Sequence, residues 1–182
     1  MENLSNRLLY LSMMAQSKVE LWLVHRDKKK ACSISLRNNF STETAKSKRI
    51  ENWIKDAGLH YVVDKENKNL LHISKDPDLS QKMNDLQWSQ KPSDIIFRGK
   101  QYNYPEKAVE AFAKNIESMS DYIEVRERIK KFPYWHYARY RVRVRHEKDD
   151  LQVAKKWADL IRKEVPKLAK WFEDSMERIV VR

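Results

Sequence analysis

Between Arg126 and Arg145 the chain carries Arg126, Arg128, Lys130, Lys131, Arg139, Arg141, Arg143 and Arg145 against a single acid, Glu127, a net charge of +7. Phe132, Tyr134, Trp135, Tyr137 and Tyr140 are threaded among them. Guanidinium and ammonium groups track phosphates, and aromatic rings stack on exposed bases, so this mixture suits a polyanion such as DNA or RNA. From Ala138 to Arg145 the residues alternate with period two. As a strand, that stretch would carry four guanidinium groups on one face and Ala138, Tyr140, Val142 and Val144 on the other. An edge strand kept soluble by its charges has the same pattern, but edges are more often guarded by lysine. Arginine's planar fork favours phosphate. The candidate nucleic-acid contacts are therefore Arg139, Arg141, Arg143, Arg145, Lys130, Lys131, Tyr134, Trp135 and Tyr137. The turn Lys28-Lys29-Lys30 extends that footprint, and Lys46, Lys48 and Arg49 are secondary to it.

Catalytic signals are sparse. With only two glycines, Gly58 and Gly99, the chain has neither a dinucleotide fingerprint nor a glycine-rich phosphate loop. His60 and His72 fall at facing positions of a predicted hairpin, without a third ligand at metal-site spacing. His136 and His146 flank the arginine stretch outside any general-base motif. Glu66-Asn-Lys68 superficially fits the acid-x-lysine pattern of metal-dependent nucleases, but it falls in a predicted turn, where carboxylates cannot converge rigidly on a cation. The reading is of a non-catalytic nucleic-acid-binding protein, a regulator or accessory factor, without a cofactor or metal. Its rivals are an adaptor for an acidic protein partner and a degenerate metal-dependent nuclease.

The chain of 182 residues is 41% apolar with six tryptophans, which is enough for one good core or two small ones. The lone cysteine, Cys32, excludes an internal disulfide and fits a reducing compartment. No apolar run approaches the roughly 20 residues that span a bilayer. Leu8–Ala15 reads as part of a first helix, and the expectation is a cytoplasmic protein with no membrane partner. The overall charge of +11 favours anionic partners without choosing among them.

An α+β fold with two lobes is expected to position these residues. In residues 1–87 a first helix through Leu4, Leu8, Leu11 and Ala15 precedes a hairpin of Lys18–His25 and Ala31–Leu36. Next comes a helix capped by Ser41 or Thr42, bearing Ile50, Trp53 and Ile54 and ending at Gly58. A second hairpin pairs Leu59–Val63 with Leu70–Ser74, and Asp76-Pro77 opens a short helix. Residues 88–104 read as a connector with a tight turn at Arg98-Gly99-Lys100. In residues 105–182, helical stripes enclose the arginine strand: one from Pro105 towards Lys131, the other from Asp149 or Asp150 past Pro166. Trp53, Trp157 and Trp171 fall on apolar stripes, whereas Trp88 and Trp135 suit exposed contact.

The run Gly99–Phe112 resembles an uncharacterised archaeal family in which a Gly-Tyr-Pro turn precedes two cysteines, a valine and a phenylalanine. Gly99, Tyr104, Pro105, Val109 and Phe112 match, Asn103 stands for the second glycine, and Lys107 and Ala108 replace the cysteines. The resemblance implies a turn-to-helix scaffold and no thiol or metal chemistry. The helix–hairpin–helix–hairpin–helix order of residues 1–87 also resembles half of a LAGLIDADG homing endonuclease. The first helix, Leu8-Leu-Tyr-Leu-Ser-Met-Met-Ala-Gln16, lacks that family's terminal glycine and catalytic acid.

Overall fold

The computed structural model describes residues 3–36, 40–41, 44–114, 119–138, 140, 142–143 and 145–180; within these, the side chains of 119–123 and 177–180 are not described. The fold is α+β, mostly helical with one small sheet. In chain order the elements are α1 (Leu4–Leu9), α2 (Ala15–His25), β1 (Ala31–Ser35), α3 (Ala45–Asp56), β2 (His60–Val63), β3 (Leu70–Ser74), α4 (Pro77–Leu86), α5 (Pro92–Gln101), α6 (Glu106–Ala113), α7 (Met119–Ile129), α8 (Glu147–Glu164) and α9 (Pro166–Val180). A 3-10 turn at Trp135–Tyr137 lies between α7 and α8. The chain packs as two compact units, one of residues 1–87 with 161–182 and the other of residues 88–160.

In the first unit an antiparallel sheet runs in the order β1-β3-β2, with His72 of β3 in register with Ser33 of β1 and Val62 of β2. The β2–β3 hairpin and the Asp76-Pro77 start of α4 agree with the sequence pattern. Asp76 accepts the Asp78 N–H, and Pro77 fills the first helical position, where its missing N–H costs nothing. Gly58, at φ +69, ends α3 in the left-handed conformation that glycine adopts without strain. The cap at the other end is Thr44, whose hydroxyl accepts the Ser47 N–H, instead of Ser41; Thr42 lies outside the described residues.

Lys18–His25 is not a strand but most of α2. Its apolar residues surround the helix, with Val19, Leu21, Leu23 and Val24 all buried, so it has no outer face. A buried run of this kind carries no periodicity that separates helix from strand. Its polar residues explain the outcome. As a strand, Lys18 and Glu20 would share a face, whereas on a helix they are about 200° apart and reach separate partners. Lys18 donates to the Leu9 carbonyl at 2.5 Å and sits 4.3 Å from the Trp171 ring centre, and burial lowers its pKa to about 8. Glu20 pairs with Lys29 at 2.6 Å, the two side chains being 8% and 0% exposed. Trp171 is accordingly a half-exposed platform for Lys18 and not a core residue, while Trp53 and Trp157 are buried as their stripes predict.

The second unit departs from its predicted connector. Arg98-Gly99-Lys100 lies inside α5, and the chain reverses four residues later. Gly99 serves packing here: a Cβ at this position would lie 2.5 Å from both Cγ atoms of Val109, so only glycine allows α5 and α6 to approach this closely. Asn103 makes the reversal at φ +53, a left-handed conformation that asparagine tolerates better than most residues, and the Tyr104 N–H returns to the Gly99 carbonyl at 3.0 Å. The predicted Pro105–Lys131 helix is interrupted. Pro105 caps α6, which closes at Ala113, with Lys114 in a turn and α7 starting at Met119.

Candidate nucleic-acid interface

The described residues of Ala138–Arg145 form no strand. Asp150, expected as a cap for α8, is the reason. It lies 2% exposed on the first turns of that helix, and its carboxylate accepts the Arg143 backbone N–H at 2.9 Å, Nε at 3.1 Å and Nη2 at 2.8 Å. A backbone N–H committed to a side chain is lost to a ladder, and a bidentate charge-assisted pair outweighs one ladder bond. Tyr140 donates its hydroxyl to the Asp150 carbonyl at 2.5 Å, and burial pushes its phenol pKa well above the usual tyrosine range. Arg145 then turns the chain at φ +62 into α8. The described residues of the segment are irregular and pinned to α8 at Tyr140 and Arg143, with Val142 buried.

This arrangement sorts the predicted contacts. Arg143 is held by Asp150, Lys130 by Glu127 at 2.6 Å, and Arg128 by Glu124 at 2.6 Å and by Glu147. Tyr137 is 1% exposed, so its ring fills the core instead of facing a ligand. Arg126, Lys131 and Arg145 are exposed, and no ion pair involves them among the described residues. Lys131 lies 5.6 Å from the centre of the Phe132 ring, which itself packs against half-buried Tyr134 at 5.8 Å. Trp135 is half-buried against His136 at 4.2 Å. Arg139, Arg141 and Val144 lie outside the described residues. In the first unit Lys28 and Lys30 are exposed at their turn, but Lys29 is drawn inside by Glu20. Lys46, Lys48 and Arg49 are exposed on α3.

Sequence reasoning missed one constellation in the sheet. The Ser33 hydroxyl lies 2.9 Å from His72 Nδ1, and His72 Nε2 lies 2.9 Å from Asp64 Oδ2, so a hydroxyl, an imidazole and a carboxylate stand in line. The arrangement looks like a nucleophilic relay, but it serves the hairpin: Asp64 and His72 are both fully buried, and Asp64 Oδ1 accepts the backbone N–H groups of Glu66 and Asn67. A visible signal was Asp64 opening the polar turn, since aspartate favours binding backbone N–H groups two and three residues on. His60 does not face His72, being aligned with Ser74 and exposed. Among the described residues no three His, Cys, Asp or Glu side chains are grouped to hold a metal ion, and no helix is long and apolar enough to cross a membrane.

Burial lowers the His72 pKa from its usual 6.5, against the opposing pull of Asp64. The unfolded chain therefore takes up a proton here before the folded chain does. Stability from this site is fully present above pH 6.5 and is lost as pH falls through the folded pKa. In urea titrations between pH 7.5 and 5, wild type should lose more stability than His72→Gln. Equal losses would show that the imidazole titrates as it does in the unfolded chain.

The chain matches no protein-family model, no curated protein and no solved structure.

Proposed function

We propose that the protein binds nucleic acid through the basic-aromatic segment 126–145 of its second unit and performs no chemistry on it. One observation carries this reading. After Glu147, Glu127 and Asp150 have paired with Arg128, Lys130 and Arg143, the exposed cations Arg126, Lys131 and Arg145 stand on the same short segment as the partly exposed rings of Phe132, Tyr134 and Trp135. Cations for phosphate and rings for bases are the two components of single-strand binding, and neither is needed to neutralise the segment's own acids.

The test is fluorescence anisotropy with labelled single-stranded DNA, single-stranded RNA and duplex DNA over a series of salt concentrations, with an acidic polypeptide as competitor. Three phosphate contacts give log affinity for a single strand a slope of about −2.1 against log salt. Binding to the acidic polypeptide alone would replace this reading with the adaptor one. Incubating the same nucleic acids with Mg²⁺ and with Mn²⁺ should leave them intact. Cleavage abolished by alanine at Glu66, His136 or His146 would instead make the protein a nuclease.

A further inference from the structure

Helices α5 and α6, together with Ala138 and Tyr140, enclose a cleft of about 450 Å³ within the second unit, inside the roughly 300–1,000 Å³ range of small-ligand sites. Three tyrosine rings stand in its wall. Tyr104 lies 5.3 Å from Tyr102 and 5.1 Å from Tyr140, and both Tyr104 and Tyr140 are backed by Trp157 at 6.3 and 6.2 Å. Phe112, 43% exposed, stands at the rim. The walls are anchored. Tyr140 is fixed to α8 through the Asp150 carbonyl, and the close approach of Gly99 and Val109 sets the spacing of α5 and α6. Arg98, the one charged residue among the described residues lining the cleft, donates Nη2 to the Ser89 carbonyl at 3.1 Å.

We propose that this cleft takes one unstacked nucleobase of a single strand, with its flat faces against the tyrosine and Phe112 rings. The inference rests on the nucleic-acid reading and adds to it a site and a preference for single strands. The charge around the cleft disfavours a neutral peptide, and the planar guanidinium in its lining favours a flat base over the side chain of an acidic one. The lining group is a guanidinium, which stacks on bases as well as binding phosphate, and the lining residues Ala138 and Tyr140 belong to the arginine-rich stretch of the chain. Residues 88–160 as a whole hold sixteen Lys/Arg against eleven Asp/Glu. A duplex keeps its bases stacked and has none to insert without unpairing.

Two variants test the cleft without touching the buried core. Phe112→Ala removes the rim ring, and Ala138→Trp, at a partly exposed position, fills the cleft. The probe is a single-stranded oligonucleotide with a central 2-aminopurine, compared with its duplex, and near-UV circular dichroism verifies folding. Each variant should weaken single-strand binding about five- to hundredfold, the range of one base–aromatic stack, and should abolish quenching of 2-aminopurine. Duplex affinity should stay within about twofold, since it rests on phosphate contacts alone. If both variants bind the single strand like wild type, the cleft proposal is overturned and the nucleic-acid reading stands. If wild type binds neither form, the broader reading fails and the cleft proposal fails with it. Saturation by N-acetyltryptophanamide that the oligonucleotide cannot displace would make the occupant a peptide side chain and overturn the base assignment.

Discussion

Asp150→Ala should destabilise the second unit by about 3 kcal/mol, the lower part of the range for breaking a buried ion pair. The substitution removes the acceptor for three Arg143 donors at once and leaves a guanidinium that is only 15% exposed without this carboxylate. Asp150→Asn keeps the volume and an acceptor for the Arg143 N–H but loses the charge, so it should cost about half as much. Urea denaturation of the two variants checks both values. A loss below about 0.5 kcal/mol for Asp150→Ala would mean that the clamp does not shape the segment. Arg143 would then be as available to a ligand as Arg145.

The second large effect is expected in the first unit. Glu20→Ala should cost about 3–5 kcal/mol, because it strips the acid from a lysine whose side chain is fully buried. Replacing both partners, as Glu20→Leu with Lys29→Met, should restore most of the stability, since neither charge then remains in the interior. Lys30→Ala, next door and exposed, should change stability by less than about 0.5 kcal/mol. Thermal and urea unfolding of the three proteins separates a buried pair from a solvated lysine turn. If Glu20→Ala is as mild as Lys30→Ala, Lys29 reaches water and belongs with the exposed cations.

These two acids also show what could be read from the sequence. Elements fixed by local chemistry were legible: the β2–β3 hairpin around its polar turn, the Asp76-Pro77 helix start and the Gly58 stop all depend on residues close in the chain. Elements fixed by distant partners were not. The alternation of Lys18–His25 looked like a strand because nothing local shows that Glu20 meets Lys29 or that Lys18 meets Trp171. The arginine stretch reads as a strand for the same reason, whereas the conformation at Arg143 depends on one carboxylate seven residues further on. Gly99 suggested a turn, whereas its role is the absence of a side chain against Val109. The tyrosine cleft was partly visible. Tyr140 stands among the arginines in the sequence, but Tyr102, Tyr104 and Phe112 join it only through the reversal at Asn103.

The central claim is that the exposed cations of the segment 126–145 carry affinity for nucleic acid, and the salt dependence of a charge-depleted variant tests it most directly. Arg126→Gln, Lys131→Gln and Arg145→Asn together remove three positive charges, and asparagine suits the left-handed backbone at position 145. Against a single-stranded oligonucleotide, the slope of log affinity with log salt should become shallower by about 2.1, with affinity reduced at low salt and the unfolding transition unchanged. A slope and an affinity equal to those of wild type would contradict the claim, because the phosphates would then be bound elsewhere on the molecule.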